Sequence, residues 1–136
     1  MLRAVQDPRV CALVSLAGIA HPLEFAKRLF ADRSPEVDFM LDKPHCPLTR
    51  QFLDDLAVIE SVVPRASEVR VPWLLVHGTA DEIVPVSDSA DMAAGAGDRN
   101  PPRFVALEGI DHSFSDPGIE RMTSTVVPWL VEVLGP

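Results

Sequence analysis

The sequence predicts an α/β fold in which three mainly parallel strands form a sheet with flanking helices. Three apolar runs, at about 9–17, 69–76 and 103–107, have the composition of buried strands. Stretches with helical spacing of apolar residues lie between these runs and after the last one. Such alternation of strands and helices is typical of βαβ units, so helices should cover a parallel sheet.

Length and charge restrict the classes of function. A chain of 136 residues is long enough for one domain with one core, and its 47% of hydrophobic residues exclude a disordered chain. A net charge of −8 argues against nucleic acid, which needs clustered Lys and Arg. No apolar stretch is long enough to span a membrane, and residues 1–6 do not resemble a signal peptide. Two cysteines make no disulfide framework, which favours a cytoplasmic location.

The first apolar run follows the last turns of a helix that residues 1–6 are expected to form. Asp7-Pro8 precedes the run and Gly18 ends it. Because the run is almost continuously apolar, we expect a strand that is buried on both faces. Cys11, within this run, is expected to be a small core residue.

The segment 21–67 lies between the first two strands. It should contain a short helix at about 22–31, an irregular proline-containing stretch, and a clearer helix at about 49–63 with Thr49 as its N-cap. One face of that helix is apolar, comprising Phe52, Leu53, Leu56, Ile59 and Val63. The segment can be a cap or lid over a site, or an ordinary crossover, and the sequence leaves both open.

The second strand, at about 69–76, should begin at Pro72, because proline cannot donate to the ladder of a central strand. Ser87 is the expected cap of a helix at about 88–97.

The third strand, 103–107, is followed by a helix that starts near Pro117. Pro128 should kink that helix or end its first part. Its inner face should comprise Met122, Val126, Trp129, Leu130 and Val133.

Polar loops follow the second and third strands. Asp81 lies in the first of these loops and His112 in the second. Parallel strands place both loops at the same end of the sheet, where ligand sites form in open α/β folds. Adjacent strands lie about 5 Å apart. We therefore expect Asp81 to accept a hydrogen bond from His112 and to hold its imidazole in one tautomer.

Two motifs around these residues resemble those of α/β-hydrolases. Pro-Trp-Leu-Leu-Val-His-Gly-Thr-Ala-Asp-Glu-Ile-Val-Pro, ending at Pro85, is similar to the penultimate-strand motif that carries the triad acid. Leu-Glu-Gly-Ile-Asp-His, ending at His112, is similar to the last-strand motif that carries the triad histidine. The resemblance, closest to esterases, dienelactone hydrolases and serine peptidases, implies that Asp81 and His112 are catalytic. It also implies that 1–136 is the C-terminal portion of one α/β-hydrolase domain.

The chain departs from the family at the nucleophile. It has no Gly-x-Ser-x-Gly elbow, so we expect the serine and the oxyanion-hole donors upstream of Met1. The chain alone should then be inactive, whether it is a fragment, a mis-started gene product or a natural remnant. The resemblance implies that the full-length parent cleaves ester, thioester, lactone or peptide bonds of small substrates through an acyl-serine intermediate. It implies no cofactor and no metal.

Other interpretations of the polar residues remain open. Asp81 can be an Asx-turn residue alone, and His112 a surface loop residue. Ser15 is a weak candidate nucleophile, because it lies inside an apolar run rather than on a turn. His77 is expected to pack or hydrogen-bond beneath the acid loop rather than to bind a metal.

The first strand also suggests a non-catalytic alternative. It should neighbour the absent nucleophile strand and expose an unpaired apolar edge, through which the chain can self-associate or bind a partner. A remnant of the fold that binds a partner in this way needs no catalytic residues.

Overall fold

The structure, a computed structural model, describes residues 1–40 and 43–135. Its sheet has the order β1-β2-β3, with β1 at Leu13–Leu16, β2 at Trp73–Gly78 and β3 at Arg103–Leu107. Both pairs of neighbouring strands are parallel, which confirms the predicted fold class. The helices are α1 (Leu2–Gln6), α2 (Pro22–Phe30), α3 (Arg50–Ile59), a 3-10 helix (Val63–Glu68), α4 (Val86–Ala96) and α5 (Gly118–Leu134).

The chain divides into two compact units. The larger comprises Met1–Ala20 and Val62–Pro136 and contains the whole sheet; the smaller is His21–Ser61. In the smaller unit α2 and α3 pack around buried Phe30 and Leu48, and the Phe30 ring contacts the Phe52 ring edge-on at 6.0 Å. This unit falls inside the segment expected to be a cap or a crossover, and its role as a cap stays a prediction.

Strand β2 is the centre of the larger unit, and all six of its residues are buried. Because side chains alternate along a strand, Trp73 and Leu75 belong to one core cluster and Leu74 and Val76 to another. The first cluster includes residues of the 3-10 helix and α4, and the second includes Trp129 of α5. Full burial of one such side chain stabilises the fold by about 1.5–3 kcal/mol.

The expectation for the first strand is wrong in two respects. The strand is shorter than 9–17, and it is only half-buried, with Leu16 42% exposed. Cys11, expected in the core, is exposed. The physical reason is that β1 is an edge strand, since among the described residues it pairs with β2 alone.

Helix boundaries agree with the sequence where a side chain sets them. Thr49 caps α3, as predicted, and its hydroxyl accepts the backbone N–H of Phe52 at 3.2 Å. The helix ends at Ile59 rather than near residue 63, because Glu60 has a positive φ of 55°. Ser87 is not the cap of α4, which begins one residue earlier, at Val86.

The last two elements also match their predictions in large part. Strand β3 covers the predicted 103–107, and the predicted inner face of α5 packs on the core cluster around Trp129. Helix α5 runs unbroken past Pro128, so this proline does not end a first part. In the two described ranges, no helix is both long enough and apolar enough to cross a membrane.

Candidate active site

Asp81 and His112 meet at the carboxyl ends of β2 and β3. His112 Nδ1 lies 2.8 Å from Asp81 Oδ2, which confirms the predicted contact. The Asp81 side chain has no exposed surface, whereas that of His112 is 37% exposed. The pair therefore has a buried acid and a histidine that is partly exposed to solvent.

The other carboxylate oxygen of Asp81 shapes its own loop. Oδ1 accepts the backbone N–H groups of Ile83 at 2.9 Å and Val84 at 2.8 Å. This is the Asx-turn geometry that the sequence offered as the alternative to a triad acid. These two bonds fix the position of Oδ1, and Oδ2 faces His112.

Three hydrogen bonds join the acid loop to the histidine loop. Ala80 N–H donates to Ile110 O at 3.0 Å, Thr79 N–H donates to Leu107 O at 3.0 Å, and Thr79 Oγ1 accepts Gly109 N–H at 2.8 Å. Gly78 makes this approach possible, because a Cβ there would stand 2.0 Å from Ile110 O. The two loops therefore form one connected platform.

His77 lies beneath the acid loop with no exposed surface. Its Nε2 is 2.9 Å from Val84 O and 3.1 Å from Asp81 Oδ2, and its Nδ1 is 2.8 Å from Ser89 Oγ. The expectation of packing or hydrogen bonding at this position is confirmed. The role of Ser89 was missed, because it depends on how the first turn of α4 lies over the end of β2.

An open cleft of about 370 Å³ lies beside His112. Its lining is Ala80, Glu82, Ile83, Asp111, His112 and Ser113. Hydrogen bonds from the Ser115 side chain and backbone lower the pKa of Asp111 from its usual value, so this carboxylate stays ionised at neutral pH. Asp111 thus forms part of the loop and gives the cleft negative charge.

The remaining candidate from the sequence is Ser15. Ser15 is in the middle of β1 and half-buried, and among the described contacts it makes no hydrogen bond to His112. In 1–40 and 43–135, no three His, Cys, Asp or Glu side chains are grouped so that they could hold a metal ion.

Comparison by sequence gives no assigned family or activity. No family model matches the chain. Curated relatives are uncharacterised proteins from two strains of Mycobacterium tuberculosis, 36% identical over 70 residues, which is 52% of this chain and 23% of the relative. The matched region thus spans about a quarter of those relatives.

Solved structures match over almost the whole chain. The esterase domain of a Rhodothermus marinus protein has a TM-score of 0.72 and 23% identity, over 98% of this chain and 56% of that one. Est1E from Butyrivibrio proteoclasticus has a TM-score of 0.75 and 22% identity, over 98% of this chain and 55% of that one. An acylaminoacyl peptidase of Pyrococcus horikoshii has a TM-score of 0.68 and 16% identity, over 96% of this chain and 21% of that one.

These structures are α/β-hydrolases, so the chain has the fold of the C-terminal part of an α/β-hydrolase. It spans little more than half of the matched esterase chains.

Proposed function

We propose that this chain supplies the acid and the histidine of a Ser-His-Asp triad, as the C-terminal portion of a serine hydrolase domain. The observation that carries the proposal is the 2.8 Å contact between the buried Asp81 carboxylate and the partly exposed His112 ring beside a cleft. The nucleophile serine and the oxyanion-hole donors then belong to a polypeptide segment outside these 136 residues. The two free thiols fit a cytoplasmic location.

The geometry suits one sequence of proton transfers. His112 uses Nδ1 for Asp81, so Nε2 is the nitrogen that can accept the proton of a serine hydroxyl as its Oγ bonds to a carbonyl carbon. Asp81 stabilises the resulting imidazolium. Nε2–H then protonates the leaving oxygen, nitrogen or sulfur as its bond to carbon breaks, which leaves an acyl-serine. Water repeats these steps and releases the acid.

The substrate class follows from this chemistry. Ester, thioester, lactone and peptide bonds all fit a general base with an oriented carboxylate. No step of the proposal requires a metal or an organic cofactor.

The alternative is a non-catalytic chain that binds a partner through the open edge of β1. The half-buried edge strand favours it. It requires no reactive serine, and activity measurements therefore distinguish the two functions.

The test compares the 136-residue chain with the same reading frame extended through the coding sequence before Met1. The extended protein should contain a Gly-x-Ser-x-Gly elbow, react with a fluorophosphonate probe and hydrolyse p-nitrophenyl esters. In it, Asp81→Asn should lower kcat by about 10⁴, and His112→Ala by at least as much. Asp98→Asn, the same change at an exposed position, is the matched control.

Two results would contradict the proposal. One is an upstream sequence without the elbow, and the other is an extended protein whose turnover survives His112→Ala. The 136-residue chain should hydrolyse the ester no faster than its own His112→Ala variant. Robust, His112-dependent turnover by that chain would mean that it contains its own nucleophile, with Ser15 the first residue to substitute.

A further inference from the structure

His77 contacts the same carboxylate oxygen as His112, from the buried side of the loop. Its imidazole has no exposed surface, and both ring nitrogens have partners within 3.1 Å. Nothing in the triad chemistry described above uses this ring. A fully buried histidine with three polar neighbours is costly to place unless its hydrogen bonds are satisfied.

The neighbours of His77 determine where its proton lies. Val84 O can only accept, so Nε2 carries a hydrogen, which it shares between Val84 O and Asp81 Oδ2. The Ser89 hydroxyl lies 2.8 Å from Nδ1 and can donate to it when that nitrogen carries no hydrogen. The contacts thus make His77 Nε2–H the donor to Asp81 Oδ2.

We propose that His77 is a positioning residue, which holds Asp81 Oδ2 where it accepts the His112 Nδ1–H. This inference rests on the proposed function for its catalytic meaning. Oδ1 is fixed by two backbone N–H groups, whereas Oδ2 has the two imidazoles as its donors among the described contacts. Without His77, the only described side-chain donor to Oδ2 is His112. The His112 ring is 37% exposed, so water can replace Asp81 as its hydrogen-bond partner.

The consequence concerns the tautomer of His112. A well-oriented carboxylate selects the Nδ1–H form and leaves the Nε2 lone pair for the serine proton. A carboxylate that turns away allows the mixture of tautomers of an unrestrained imidazole. His77 thus acts on the reaction through Asp81, without touching substrate.

The test uses ¹⁵N-labelled imidazoles in the 136-residue chain, whose nitrogen shifts report each tautomer directly. In the wild type, His77 should carry a proton on Nε2, and His112 should be mainly the Nδ1–H form. His77→Leu should shift His112 to the tautomer mixture that it shows in an Asp81→Asn chain. His77→Gln retains an N–H donor near the Nε2 position and should restore the Nδ1–H form.

Ser89→Ala is the matched control, because it disturbs the same buried cluster but leaves the His77 donor to Asp81 in place. It should leave the His112 tautomer unchanged. A His77→Leu chain with the wild-type His112 spectrum would overturn the inference. So would a wild-type His77 with its proton on Nδ1, and this second result decides the matter even if His77→Leu does not fold.

The outcome is separable from that of the proposed function. If the extended protein proves inactive while His77→Leu still changes the His112 tautomer, the proposed function is wrong but the role of His77 in positioning the carboxylate is supported. If the extended protein is active but His112 does not respond to His77, only the inference fails.

Discussion

At the scale of single residues, Asp81 uses each of its two oxygens for a different task. Oδ1 closes the turn on the Ile83 and Val84 N–H groups, and Oδ2 faces the two imidazoles. From sequence, the turn-forming role and the role of a triad acid are competing explanations of an aspartate in a loop. In the structure the turn and the contact with His112 occur together, because each uses a different oxygen of Asp81.

Gly78 is the residue on which the joining of the two loops depends. An alanine Cβ would lie 2.0 Å from Ile110 O and 2.7 Å from Ile110 C, and this backbone cannot move without breaking the Ala80–Ile110 hydrogen bond. We expect Gly78→Ala to lower the free energy of unfolding by about 3 kcal/mol, at the upper end of the cost of overpacking. Urea denaturation measures this.

Gly109→Ala is a suitable comparison for that measurement. Its added Cβ meets nothing within 4 Å, so only its positive φ of 72° is penalised. The expected cost is about 1–2 kcal/mol. If Gly78→Ala were the milder of the two substitutions, the close approach of the loops would not be what requires glycine at 78.

The sequence was sufficient to predict the contact between Asp81 and His112, because each follows a recognisable parallel strand and parallel strands end at one edge. It predicted the buried place of His77 beneath the acid loop but not the partners of that ring. Its partners come from the loop after β2 and from Ser89 in α4, and their convergence depends on side-chain rotamers and on how that helix lies over the strand. Contacts of this kind leave no periodic pattern in the sequence.

At the scale of elements, the same kind of apolar run produced two different strands. β2 is central and buried throughout, whereas β1 is an edge strand and half-buried. The open edge of β1 was predicted, but an apolar run alone does not show how completely the two faces of a strand are covered. This is why Cys11 was expected in the core and is exposed.

Helix α5 shows how packing outweighs a local rule. Pro128 has no N–H for the carbonyl of Ser124, yet the helix continues for six residues to Leu134 because Trp129 and its neighbours pack on the core. We expect Pro128→Ala to raise the free energy of unfolding by about 1–3 kcal/mol. Val127→Ala, at the adjacent exposed position, should change it by no more than about 0.5 kcal/mol. An unchanged or less stable Pro128→Ala chain would contradict this reasoning.

At the scale of the whole molecule, apolar surface is exposed on two elements of the larger unit. Val14 and Leu16 have backbone groups that point away from β2, since Leu13 and Ala17 make the bonds to it. In the described part of the chain, no strand pairs with that edge. Helix α5 exposes Ile119, Val127, Val131 and Leu134, each more than half exposed and spaced along one face.

We therefore expect the 136-residue chain to self-associate through the β1 edge. Such edges template pairing with other chains, and a net charge of −8 acts over the whole surface rather than at the strand. Size-exclusion chromatography with light scattering should show concentration-dependent oligomers. Leu16→Lys places a charge at the edge and should shift them towards monomer. Val58→Lys also replaces an aliphatic residue by lysine, on α3 at an 85% exposed position, and should leave the oligomers unchanged. A sharply melting, strictly monomeric wild type at high concentration would instead mean that the fold tolerates this edge unpaired.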